Sequence, residues 1–132
     1  MKNLSVIFLS LAFSSVSFSA TNSCETLLKS ADGHLETFEE ALETNEKLGP
    51  VINNVYNDEP VTCADLKSAI KTVKVLIVAT SAAAKDMGAA EAMSCEINPE
   101  TDTEAKEIRP LAIKFKRVLK DLNNAQSTGN CI

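Results

Sequence analysis

Apolar residues recur along this chain at alternating intervals of three and four, and that period predicts helices. Cys24, Leu28, Ala31, Leu35, Phe38 and Leu42 form the first stripe, with Leu27, His34, Ala41 and Leu48 widening it. The second runs through Cys63, Leu66, Ile70, Val73, Ile77, Thr80, Ala84 and Met87. Ile108, Leu111, Phe115, Val118, Leu122 and Ala125 make the third. Strict alternation over a strand's length occurs nowhere in these segments.

Local signals punctuate the stripes. Gly49-Pro50 predicts the end of a first helix spanning 23–48, with glycine as a left-handed cap. Val51, Ile52, Val55 and Tyr56 then fit two turns of a short helix with Pro50 at its start. Thr62-Cys63-Ala64-Asp65 has the form of a capping box for the second long helix, and Thr101-Asp102-Thr103-Glu104 for the third. Met87-Gly88 interrupts the second stripe, and Ala89–Ser94 reads as a further turn or two. Pro110 falls inside the third stripe, where a kink or restart is expected. Between Lys74 and Lys85 there is no charge, so that helix should be packed on more than one side.

The first 20 residues have a different character. Lys2 precedes an apolar run, Leu4–Phe13, broken only by serine, and small residues follow it. That order is a secretory signal peptide, cleaved after Ser19 or Ala20. The run is too short for a membrane span. Residues 21–132 then form a single domain that is exported to a bacterial periplasm or secreted.

Export changes how the four cysteines are read. All lie beyond the signal peptide, and an even number in an oxidising compartment implies two disulfides. If three long helices run up, down and up, Cys24 meets Cys95 at one end and Cys63 meets Cys131 at the other. The expected fold is therefore all-α: a small antiparallel bundle of three long helices with short accessory helices, stapled by Cys24–Cys95 and Cys63–Cys131.

Little in the sequence carries catalytic or cofactor chemistry. There is no Cys-x-x-Cys, no Glu-x-x-His pair and no glycine-rich phosphate loop, so no cofactor or metal is expected. The lone His34 has no nucleophile in a recognisable context, so an enzyme is not expected. Aromatic content of 5% and a net charge of −5 argue against nucleic acid as a partner.

Charge is where the sequence becomes specific. Glu36, Glu39, Glu40, Glu43 and Glu46 crowd the end of the first helix, where like charges three and four apart repel and oppose the helix dipole. Two explanations stand. Lys67, Lys71 and Lys74, at the start of the second long helix, could neutralise the acids internally; or Glu36, Glu39, Glu40 and Glu43 form a docking face for another protein, a basic one being the natural match. Val51, Ile52, Val55 and Tyr56 either cap the core or add to that surface. The expected function is a non-enzymatic interaction module of inhibitor, immunity, adaptor or periplasmic chaperone type, with self-association left open. The alternative is a carrier of a small apolar ligand, with Thr80 and His34 as polar anchors in the bundle.

Overall fold

The computed structural model describes the backbone of residues 2–132 and the side chains of residues 23–132. The expected secretory segment, residues 1–20, lies outside the residues whose side chains are described. Four helices follow one another: α1 (Lys2–Thr44), α2 (Leu48–Tyr56), α3 (Cys63–Ala92) and α4 (Pro99–Ser127). Long α1, α3 and α4 form the antiparallel bundle, and short α2 lies across one end against α3 and α4.

α3 is the central element. It packs along its length against α1 on one side and α4 on the other. It supplies Leu66, Val73, Thr80 and Met87 from its stripe and Leu76 beside it, all with almost no exposed surface. In front of α3, α1 and α4 meet through Phe38 and Phe115, whose rings lie 6.1 Å apart at 50°. Thr80 is the one buried polar residue of the described core, and its hydroxyl donates to the Leu76 carbonyl at 2.7 Å.

Several boundaries differ from the sequence expectation. α1 stops at Thr44 rather than at 48, and Gly49-Pro50 lies inside the first turn of α2. The first ladder bond of α2 is Val51 N–H to the Lys47 carbonyl at 2.9 Å. Pro50 therefore occupies a position whose N–H has no intrahelical acceptor, and proline is tolerated there. Buried Leu48 opens α2 instead of closing α1. Thr62 does cap α3, accepting from Asp65 N–H at 3.1 Å. At α4 the cap is Asn98, which accepts from Glu100 N–H at 2.9 Å, and Pro99 is the first helical residue. Thr101 thus lies within the helix, one turn later than the true start. Gly88 does not break α3, which runs on to Ala92 with Met87 and Ala90 both buried. α4 passes through Pro110 without a restart.

Both expected disulfides are present. Cys24–Cys95 joins α1 to the segment between α3 and α4, with Cα atoms 5.7 Å apart. Cys63–Cys131 joins the start of α3 to the C-terminal tail, at 4.8 Å. The tail also pairs by its backbone, Ile132 N–H donating to the Val61 carbonyl at 2.9 Å and Cys63 N–H to the Ile132 carbonyl at 3.0 Å. Gly129 takes a positive φ of 70°, the left-handed turn that brings the chain back from α4.

Candidate docking face on α1 and α3

A three-helix arrangement covers α3 on two sides only. The uncharged stretch after Lys74 was expected to be packed on more than one side, and it is, against α1 and α4. Its third side is open: Val75 is 39% and Val78 69% exposed. Lys67, Lys71 and Lys74 stand on the same open side, at spacings of four and three. Each follows a buried residue of the stripe, Leu66, Ile70 and Val73, and one step of about 100° carries it out into solvent.

Alongside runs the acidic part of α1. Glu36, Glu39, Glu40 and Glu43 are all exposed. A groove of about 380 Å³ separates the two helices, with Glu40 and Thr44 on one wall and Lys71, Thr72 and Val75 on the other. It continues into a depression of about 290 Å³ between His34 and Lys74, Val75 and Val78. Thr37 and Val75 belong to both, so the groove is continuous. Of the four acids Glu40 alone lines the groove, and Glu36, Glu39 and Glu43 line neither part. Val75 and Val78 do not stand out in the sequence: the absence of charge between Lys74 and Lys85 marks a covered helix side and an open apolar one alike.

The ion pairs of the described residues are Lys47–Asp65 at 3.7 Å, Lys106–Asp102 at 3.1 Å and Arg109–Glu91 at 2.9 Å, and His34 Nε2 lies 3.5 Å from an Asp86 carboxylate oxygen. None of them involves Glu36, Glu39, Glu40, Glu43 or Glu46, or Lys67, Lys71 or Lys74. No direct ion pair at 4.0 Å or less therefore joins the acidic ridge to those lysines. The two ridges run side by side, each solvated, with the groove between.

The α2 segment divides. Val51 is buried in the core, Ile52 and Val55 are half-buried against it, and Tyr56 is 52% exposed. Val51 is thus spent on capping the bundle, and Tyr56 alone of the four offers its surface. Its phenol lies beside Asp121 and Arg117. Partial burial, then the Asp121 carboxylate, push the Tyr56 pKa upward, with Arg117 opposing.

The two residues expected to anchor a small ligand are not brought together: Thr80 is buried within the bundle, whereas His34 lines the depression beside Val75 and Val78. The Thr80 hydroxyl is already bonded within its own helix. The interior gap bounded by Leu35, Met87, Ala105 and Ile108 amounts to about 10 Å³, barely the volume of one water. His34 lies at the surface edge of the α1–α3 seam. Its Nε2 is 3.4 Å from Ser30 Oγ and 3.5 Å from Asp86 Oδ2. A Ser–His–Asp relay needs the two ring nitrogens to serve different partners, whereas here one nitrogen faces both. Among the described residues no group of three or more His, Cys, Asp or Glu converges, and no helix is long and apolar enough to cross a membrane.

Compared with protein-family models, curated proteins and solved structures, the chain matches none.

Proposed function

We propose that this protein is an exported, non-enzymatic interaction module, delivered to a periplasm or secreted, that works by docking another protein chain on the α1–α3 face. One observation carries the reading: the acidic ridge of α1 and the basic row of α3 flank exposed Val75 and Val78, and among the described residues no ion pair joins either row to another group. Specific interfaces combine desolvated apolar contact with complementary charge, which sets register and on-rate. The leader-like N-terminus and the two disulfides support an oxidising destination. Inhibitor, immunity, adaptor and chaperone roles all fit a small stapled bundle of this kind.

The test is charge reversal on the ridge. Glu36→Lys, Glu40→Lys and Glu43→Lys combined should leave the melting temperature within about 2 °C, because all three are exposed surface positions. The same variant should lose the complex formed by the wild-type chain, read as particle size by gel filtration of the exported fraction. A variant that unfolds, or one that keeps the wild-type size, removes the docking face from consideration.

A further inference from the structure

We propose that the chain docked on this face is a second copy of the same protein, related by a two-fold axis running along the α1–α3 seam; the proposal rests on the docking reading above. The face carries both signs of charge. A uniformly basic partner would satisfy Glu36, Glu40 and Glu43 but would set its positive charge against Lys67, Lys71 and Lys74. A uniformly acidic one would fail in the opposite way. A partner that carries both rows, side by side and in the same register, satisfies both.

The register is fixed within the fold. Asn45 Nδ2 donates to Thr72 Oγ1 at 3.0 Å, which places these residues of the antiparallel α1 and α3 at one height. Glu43, two residues before Asn45, is then level with Lys74, two residues after Thr72. By the same count Asp32 is level with Lys85, thirteen residues away on each side. A two-fold axis parallel to the helices preserves height and exchanges sides. It lays α1 of one copy over α3 of the other and sets Glu43 on Lys74 and Asp32 on Lys85, twice per dimer. Glu40, three residues from Glu43, falls within one helical turn of Lys74. The interface is isologous, as two-fold dimers are.

Size and shape agree with this. Val75 and Val78 of each copy would be covered by α1 of the other. Gly33 has open space around its Cα, and Thr37, Ala41 and Thr44 line the groove, so beside its glutamates α1 offers small residues to the opposing helix. From Lys67 to Lys85 the face is about 27 Å long, and two packed helices make it about 20 Å wide. That gives about 500 Å² per copy and about 1,000 Å² in all, the lower end of a specific interface. The dimer is therefore reversible and depends on concentration.

The experiment is native mass spectrometry of full-length mature chains, disulfides intact, in which variants of different mass are mixed. Lys71→Glu/Lys74→Glu and Glu40→Lys/Glu43→Lys should each be monomeric at a concentration where the wild type dimerises. Their equimolar mixture should form the heterodimer at least about tenfold more tightly than either variant forms a homodimer, since the mixture restores opposite charge at both halves of the interface. Val78→Arg provides a second route, dissociating the dimer without touching either charged row, while circular dichroism checks that every variant is folded. A wild type that stays monomeric at about 100 µM overturns self-association. So do single-row variants that dimerise as the wild type does, or a mixture with no heterodimer. Failure of the docking reading is a separate result: the glutamate-reversed chain would retain a complex with a different protein from the exported fraction.

Discussion

Glu40 and Lys71 line one groove from opposite walls, α1 and α3, and make no ion pair within 4.0 Å. The carboxylate remains next to Glu36 and Glu43 on its own helix, four and three residues away, with repulsion uncompensated inside the monomer. Replacing Glu40 by Lys should therefore stabilise the isolated monomer at low salt, by about 0.2–0.5 kcal/mol for each repulsive pair relieved. Urea unfolding at a protein concentration too low for association measures this. A loss of about 1 kcal/mol or more would mean that Glu40 is held by an attractive contact within the chain.

Leu76 and Val78 are two residues apart on α3 and should respond oppositely to truncation. Leu76 is fully buried, whereas Val78 is 69% exposed. Leu76→Ala should cost about 3 kcal/mol through lost burial and the cavity left behind. Val78→Ser should change monomer stability by less than about 0.5 kcal/mol. Denaturant midpoints of the two variants, with unchanged slopes, make the comparison.

The two disulfides close loops between residues 71 and 68 positions apart in sequence, so each should contribute similarly through the unfolded chain. The loop-closure estimate is about 4 kcal/mol apiece. Their local effects differ. Cys63→Ser/Cys131→Ser should also release the tail, exposing the Cys63 and Ile132 amides that now bond to Ile132 and Val61. Cys24→Ser/Cys95→Ser should leave those amides protected. Hydrogen exchange resolves the two cases, and equal loss of tail protection in both variants would contradict the assignment.

Tyr56 is the only tyrosine in a chain without tryptophan, so its ionisation can be followed without interference. Partial burial and then Asp121 raise its pKa, so the folded state holds the phenolic proton more tightly than the unfolded chain does. The resulting stabilisation is fully present below the unfolded value of about 10 and is lost as pH rises through the folded value. Stability should thus fall more steeply above pH 10 in the wild type than in Tyr56→Phe. Phenolate absorbance should appear at higher pH in the folded protein than in urea. Coincident titrations in the two states would remove the effect.

Much of the architecture could be read from sequence because it depends on periodicity and topology. Stripes at three and four placed α1, α3 and α4, and the up–down–up order was enough to pair Cys24 with Cys95 and Cys63 with Cys131. Boundaries were harder, since local signals compete. Gly49-Pro50 looked like a helix end but forms a helix start, because Pro50 sits where no N–H is needed, and a side chain from Asn45 to Thr72 ties down the real break. Thr101 had the form of a cap, yet Pro99 and Asn98 start the helix one turn earlier. The acidic ridge was legible as a charge conflict. Its neighbour was not: an uncharged stretch looks the same in sequence whether a third helix face is covered or open, and only the number of packed helices decides that Val78 faces solvent.

The measurement that reaches the central claim most directly is native mass spectrometry of the mature protein recovered gently from its own host. The expected result is a species at twice the chain mass which, once dissociated, gives a chain four hydrogens lighter than the reduced form, as two disulfides require. A bare monomer at every loading, or a small-molecule adduct that disappears on denaturation, would contradict it.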